Sequence, residues 1–113
     1  MKVLALIYAD EAQWDSLSEE ERNAVYAQYR AFGEAADATV LDGAELAPTR
    51  SATTVRIVDG KTVVTDGPFA ETKEALGGFY LLEVDNLDEA ANLAAHIPGA
   101  STGAVELRAE EPA

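Results

Sequence analysis

The chain has no cysteine, only one histidine and few basic residues among its 113 positions. Without cysteine there are no disulfides, no thiolate nucleophile and no cysteine-ligated zinc, and the absence of disulfides favours a cytoplasmic location. A single histidine cannot form a histidine cluster, so we expect neither a metal nor a cofactor. Chemistry in this protein must come from carboxylates, hydroxyls, lysines and aromatic rings.

Basic residues are outnumbered by acidic ones, 8 to 21, and the formal net charge is −13. The acidic residues occur along the whole chain rather than in one tail. Nucleic acids and anionic membranes both bind basic surfaces, so we expect no direct contact with either. Solubility is the simplest role for the negative charge, and a cationic partner is the alternative.

Long apolar runs are also missing. The longest, Lys2–Tyr8, is too short to span a membrane and is typical of a strand that is covered on both faces. There are no repeats and no linker, and the length suits one domain over residues 1–113.

Two helices are predicted from capping residues and periodicity. Ser18 followed by Glu21 is a capping box that starts a helix ending near Asp37. Asn86 or Asp85 caps a second helix, which Pro98-Gly99 ends. Their predicted apolar faces are Val25, Tyr29, Phe32 and Ala36 in the first, and Leu87, Ala90, Ala91, Ala94 and Ile97 in the second.

The remaining apolar segments predict strands. A weaker strand within 39–48 and stronger ones within 78–84 and 103–109 accompany the first strand. Between them, two β-branched runs flank Asp59-Gly60, which predicts a hairpin with a type I′ turn. The order β-α-β, hairpin, β-α-β predicts an α+β fold: a ferredoxin-like antiparallel sheet with two helices on one face and an inserted hairpin.

The second face of this sheet has no helix to cover it. Large apolar residues point to both faces of the strand Phe79–Val84. A second copy of the sheet would cover the bare face, and we therefore expect a homodimer.

The segment VTDGPFAETKEALGGFYLLEV closely resembles the signature of the YCII-related family, in its DGPF-domain branch. LIYADE, TTVR, LDEAANLAAHIPGA and GAVELR extend the resemblance over nearly the whole chain. The resemblance implies a dimeric α/β-barrel arrangement and, in some relatives, a link to extracytoplasmic-function sigma factors. Other relatives bind small aromatic or lactone compounds, and some are enzymes.

The YCII enzymes are thought to use a histidine–aspartate pair, with the histidine on the first helix. This chain offers Val25, Tyr26 and Tyr29 there, and its own histidine, His96, lies near the end of the second helix. The pair is therefore not transferable, and we interpret His96 as a partly exposed residue at a helix C-terminus.

The charged segment after the hairpin has two interpretations of equal weight. In the structural one, Asp66-Gly67-Pro68 forms a turn, Phe69 is buried beneath it, and residues 70–78 make one or two helical turns closed by glycine. In the functional one, Asp66, Glu71 and Lys73 bind a ligand or serve as catalytic candidates.

Two tyrosines complete the predicted ligand site. Tyr8, at the end of the first strand, and Tyr80 can hydrogen-bond a ligand in a cleft, although half-buried core tyrosines are common. Trp14, between strand and helix, is predicted to cover the edge of the core.

Three functions follow from these patterns together with the family resemblance, which alone supplies the link to sigma factors. The first is a small-molecule-binding domain, ancillary to a sigma-factor regulatory system. The second is a cofactor-independent isomerase or lyase that acts on a small organic substrate. The third is a dimeric protein-interaction module.

Overall fold

The main sheet of the protein is antiparallel throughout. The computed structural model describes residues 1–112. Four strands lie in the order β2-β5-β1-β6, the ferredoxin-like arrangement that the element order predicts, and β3 and β4 form a separate two-stranded sheet. The strands are β1 Lys2–Ala9, β2 Val40–Glu45, β3 Thr53–Val58, β4 Lys61–Asp66, β5 Ala75–Glu83 and β6 Ala104–Ala109.

Four helices connect these strands, two of them short. The capping box is present: the Ser18 side chain accepts from the Glu21 N–H, and the Glu21 carboxylate accepts from the Ser18 N–H. Asn86 caps the third helix by accepting from the Glu89 N–H. The helices are α1 Glu11–Asp15, α2 Glu19–Ala35, α3 Leu87–Ala94 and α4 Gly99–Thr102.

The core lies between the helices and one face of the sheet. Val3 and Ala5 of β1 and Leu82 of β5 are fully buried beneath Phe32 of α2. The predicted apolar face of α3 is correct at three positions: Ala90, Ala94 and Ile97 are buried. It is wrong at Leu87 and Ala91, which are exposed, because α3 ends at Ala94 and packs against the core through Leu93 instead.

The other face of the sheet carries a row of half-buried apolar side chains. Leu4 is paired with Leu81, and Leu6 with Phe79, so these four side chains share the face turned away from the helices. The molecule is accordingly thin, with principal extents of 47 × 44 × 19 Å.

The β3–β4 hairpin stands apart from this sheet and makes few contacts with other helices or strands. Its tip is the predicted type I′ turn, since Asp59 and Gly60 have φ values of 51° and 77°. At its base the Gly67 N–H donates to the Ala52 carbonyl, and the Thr54 hydroxyl donates to the Gly67 carbonyl.

Two expectations for the segment after the hairpin are wrong. Phe69 is not buried; it is 77% exposed, because the segment lies beside the isolated hairpin rather than over the core. Residues 70–78 form no helical turn. Bends occupy 69–70 and 73–74, and β5 already begins at Ala75, where pairing with Ala9 of β1 fixes an extended backbone.

Candidate functional site

An open cleft of about 750 Å³ lies on the helix side of the sheet. Its walls are α1 and α2, its floor is the start of β5, and its outer edge is β2 with the residues that follow it. The size is that of a typical small-molecule site. The rings and carboxylates that line it are those of Trp14, Tyr26, Tyr29, Tyr80, Asp10, Glu11, Asp15 and Glu45.

Helix α1 closes one end of the cleft because side chains tie it to both neighbours. Asp10 caps the helix, accepting from the Ala12 N–H at 3.0 Å. The Glu11 carboxylate accepts from the Thr49 N–H at 3.1 Å, which links α1 to the chain after β2. Thr49 begins a short 3-10 turn, so this contact fixes two segments distant in sequence.

Trp14 is held in the wall by contacts on two sides. Its ring meets the Tyr26 ring edge-on, with centroids 5.4 Å apart and an interplanar angle of 78°. The Arg22 guanidinium lies 5.7 Å from the Trp14 centroid and donates to the backbone carbonyls of Trp14 and Asp15 at 3.2 and 3.0 Å. These contacts fix the position of the indole in the cleft wall, and its role as a cover for the core edge stays a prediction.

Helix α2 contributes two tyrosines, about one helical turn apart, to the cleft lining. Tyr26 and Tyr29 are three residues apart and thus lie on one face of α2. The Tyr29 hydroxyl accepts from the Gly99 N–H at 3.1 Å, and a Cβ at Gly99 would lie 2.8 Å from that oxygen. Burial raises the pKa of Tyr29.

The floor is formed where Tyr80 of β5 lies opposite Gly43 of β2. A Cβ at Gly43 would come within 2.8 Å of both the Tyr80 ring and the Phe79 carbonyl oxygen, so only glycine lets the ring lie flat there. On its other side the Tyr80 ring packs on Phe32, with centroids 5.2 Å apart. Burial raises the pKa of Tyr80 as well.

A hydrogen bond joins the two long walls. The Tyr26 hydroxyl donates to the Glu45 carboxylate at 3.3 Å. Burial, followed by the negative charge of Glu45, raises the pKa of Tyr26. The pair sets a proton donor beside an acceptor at the mouth of the cleft.

The structure brings only one of the predicted ligand residues into this cleft. Tyr80 forms part of the floor. Tyr8 is half-buried but does not line the cleft, because its neighbour Ile7 does, and successive side chains of a strand point to opposite faces.

The charged candidates lie elsewhere. Asp66 is the last residue of β4, and Glu71 and Lys73 follow in the irregular segment before β5; all three are exposed and outside the cleft. In this segment the Thr72 hydroxyl donates to the Glu74 carbonyl at 2.7 Å. A ligand-binding or catalytic role for Asp66, Glu71 and Lys73 stays a prediction.

Trp14, Tyr26 and Glu45 were not predicted as site residues. A signal for Tyr26 existed, since Val25, Tyr26 and Tyr29 occupy the first-helix region where the YCII enzymes have their histidine, and all three line the cleft. No comparable signal marked Glu45. It lies at the end of an edge strand, and only the pairing of β2 with β5 brings it beside α2.

Within residues 1–112, no group of three or more histidine, cysteine, aspartate or glutamate side chains is placed to hold a metal ion. In the same described range, no helix is both long enough and apolar enough to cross a membrane. His96 is exposed, one residue beyond the C-cap of α3.

The family of the chain follows from its similarity to known proteins. The profile of the YCII-related domain matches residues 1–110. The chain belongs to the YCII-related family. An uncharacterised protein of Rhizobium meliloti (strain 1021) is 42% identical over 114 residues, which cover 96% of this chain and 90% of that one.

A solved structure of similar fold comes from Burkholderia phenoliruptrix AC1100. It is a 5-chloro-2-hydroxyhydroquinone dehydrochlorinase in complex with 2,5-dihydroxybenzoquinone, and it is 18% identical in sequence. The TM-score is 0.56, with 98% of this chain and 94% of that chain covered. At this identity the likeness shows the fold alone, and it confirms the predicted α+β architecture of this YCII-related protein.

Proposed function

We propose that this YCII-related protein binds a small organic molecule in the cleft between α1, α2 and β5. The observation that carries the proposal is a cleft of about 750 Å³ whose lining includes Trp14, Tyr26, Tyr29 and Tyr80. Such rings bury the apolar body of a ligand, and a few fixed polar groups orient it. The complex of the dehydrochlorinase with 2,5-dihydroxybenzoquinone supports the choice of a small ring compound.

The protein has one tryptophan, Trp14, so its fluorescence reports on the cleft wall alone. We expect 2-phenylethanol, a neutral aromatic probe, to change this fluorescence saturably. Tyr26→Ala should weaken binding several-fold, because it removes a ring from the wall. Ile57→Ala, in the hairpin and outside the cleft, is the control and should bind as the parent does.

Two results contradict this proposal. One is the absence of saturable binding, in both fluorescence and calorimetry, for 2-phenylethanol and for hydroquinone, a second neutral aromatic probe. The other is equal weakening by Tyr26→Ala and Ile57→Ala, which places the effect on the fold rather than on the cleft.

Asp66, Glu71 and Lys73 form a separate candidate ligand site after the hairpin. Their exposure leaves them free to contact a ligand or partner, but they have no enclosed surface around them. Calorimetry with Asp66→Asn and Lys73→Met tests this site. If these variants bind either aromatic probe more weakly than the parent does, and Tyr26→Ala binds it equally well, the ligand site lies in the segment after the hairpin and not in the cleft.

A second candidate function is cofactor-independent proton transfer of the isomerase or lyase type. The Tyr26–Glu45 hydrogen bond favours it. Glu45 would take a proton from the carbon beside a ketone, and the Tyr26 phenol would donate a hydrogen bond to the enolate oxygen. Return of a deuteron from D₂O to phenylacetone, followed by NMR and lost in Glu45→Gln, would establish it. Exchange at the uncatalysed rate would exclude it for this probe.

A homodimer also remains a proposal. The half-buried row of Leu4, Leu6, Phe79 and Leu81 on the open sheet face supports it, because a second copy would remove this row from water. Sedimentation velocity should show a dimer at micromolar concentration that Leu6→Glu converts to monomer. A monomer in the parent protein would contradict it.

A regulatory role beside a sigma factor, an interaction-module function and a cytoplasmic location are further proposals. The acidic surface, with a net charge of −13, supports a basic protein segment as partner. Co-purification with a sigma factor encoded nearby tests the first two. A complex that forms without any effect of the Tyr26→Ala change would favour the interaction module over a ligand sensor.

A further inference from the structure

The ionisable groups in the cleft lining, apart from tyrosines, are all acidic. Asp10, Glu11, Asp15 and Glu45 contribute carboxylates, and among the described lining residues there is no lysine, arginine or histidine. Asp10 and Glu11 each accept a hydrogen bond from a backbone N–H group, and Glu45 accepts one from a phenol, so all three donors are neutral. Such donors hold the carboxylates in place without cancelling their charge.

The nearest arginines lie outside the cleft lining, although the charge of Arg22 partly opposes that of Glu45 in its effect on the pKa of Tyr26. Arg50 pairs with Asp15 at 3.8 Å, but both side chains are largely exposed, at 71% and 56%, and an exposed pair of this length is weak. Arg22 lies over Trp14 and donates to two backbone carbonyls, and it does not line the cleft. An anionic ligand therefore finds no lining cation to pair with.

The aromatic rings add a second preference of the same sign. The faces of Tyr26, Tyr29 and Tyr80 carry negative π-density, which attracts cations at close range, and the Trp14 ring already has the Arg22 guanidinium over it. Glu45 acts within the same space, since its charge adds to burial in raising the pKa values of both Tyr26 and Tyr29. The aromatic rings and the Glu45 carboxylate therefore both favour a positively charged group in the same part of the cleft.

We propose that the cleft selects organic cations, meaning an apolar or aromatic body that carries an amine or a quaternary ammonium, over carboxylates and phosphates of the same shape. This inference rests on the proposed function, because it names the ligand class of that cleft. The apolar body would lie on Tyr80 and Trp14, and the ammonium would lie towards Glu45.

Three probes of nearly equal shape test the charge preference: 2-phenylethylamine, 2-phenylethanol and 3-phenylpropanoate. Each is titrated into the parent protein at neutral pH, with Trp14 fluorescence and calorimetry as readouts. We expect the amine to bind about tenfold more tightly than the alcohol, a difference of about 1.4 kcal/mol, and the carboxylate to bind most weakly. The preference for the amine should shrink as salt is raised.

Glu45→Gln separates a local charge effect from the overall charge of the protein. The change should reduce amine affinity by about tenfold while leaving 2-phenylethanol affinity within about twofold, since only the amine loses a charge partner. Glu34→Gln, at an exposed position of α2 outside the cleft, removes the same charge and should alter neither affinity.

The outcomes distinguish this inference from the proposed function. Equal or tighter binding of 3-phenylpropanoate, with 2-phenylethanol still bound in the cleft, overturns the cation preference and leaves the binding function standing. Equal effects of Glu45→Gln and Glu34→Gln on the amine overturn it too, because non-specific attraction then suffices. Failure of all three probes and of hydroquinone to bind overturns both.

Discussion

The main sheet and the β3–β4 hairpin are made of similar residues but held in different ways. In the sheet, Val3 and Leu82 are fully buried beneath α2 and α3, so long-range packing fixes their positions. In the hairpin, Val55, Ile57 and Val64 are 61%, 68% and 59% exposed, and the two strands pair only with each other. The hairpin is therefore held by its turn and its ladder of hydrogen bonds.

The most recognisable segment of the sequence and most of the cleft lie in different regions of the molecule. The hairpin and the segment after it carry the DGPF part of the family signature, yet the enclosed surface with fixed polar groups lies on the main sheet, where the signature continues into β5. A recognisable segment is one whose local conformation demands particular residues, such as glycine at positive φ. A cleft demands residues brought together from distant parts of the chain.

One substitution made in both regions should show the largest contrast. Ile97 is 1% exposed and Ile57 is 68% exposed. We expect Ile97→Ala to lower the free energy of unfolding by about 2–5 kcal/mol through lost burial and a cavity. Ile57→Ala should change it by less than about 0.5 kcal/mol. Urea denaturation followed by circular dichroism measures both.

A large cost for Ile57→Ala would break the contrast. If that cost also grows with protein concentration, a partner chain covers the hairpin, because the described chain buries nothing there. A small cost for Ile97→Ala would instead show that the core under α3 can collapse into the space.

Elements with local signals were predictable from the sequence, including the capping box at Ser18, the Asp59-Gly60 turn and the order of the strands. The exposure of Phe69 was not, because nothing local says whether a loop packs on the core or beside an isolated hairpin. The site was found in part, through Tyr80. Glu45 was not predicted because its hydrogen bond with Tyr26 depends on tertiary packing between residues 19 positions apart in the sequence.

Two glycines of the cleft floor should respond very differently to one added methyl group. At Gly43 a Cβ would press on the Tyr80 ring and the Phe79 oxygen, both at 2.8 Å, whereas at Gly77 its nearest contact is the Ile7 oxygen at 3.9 Å. Gly43→Ala should cost about 1–3 kcal/mol and weaken 2-phenylethanol binding, as overpacking displaces the ring. Gly77→Ala should fold and bind like the parent. Equal behaviour of the two variants would mean that Tyr80 does not need the flat position.

The hairpin turn should be sensitive to backbone conformation alone. Gly60 has a φ of 77°, and a β-branched side chain resists that region. Gly60→Val should destabilise the hairpin by about 1–2 kcal/mol, whereas Gly60→Asn should be mild because asparagine visits this conformation. Hydrogen exchange of the hairpin amides is the measurement, since local opening need not alter the global transition. Unchanged protection in Gly60→Val would indicate a different turn in solution.

The smallest expected effect concerns Phe69, and it tests whether the hairpin region stays uncovered in solution. A buried phenylalanine loses about 3–5 kcal/mol of stability on truncation to alanine, because a large cavity is left. At 77% exposure Phe69 has little burial to lose, so Phe69→Ala should change the free energy of unfolding by less than about 0.5 kcal/mol. Phe32→Ala is the matched control, since that ring is 5% exposed and the same change should be severe there. Denaturation of both variants at two protein concentrations gives the comparison. If Phe69→Ala proves costly only at the higher concentration, the ring is buried by a second chain. If it is costly at both, the segment after the hairpin packs against its own core, and the separation between sheet and hairpin is wrong.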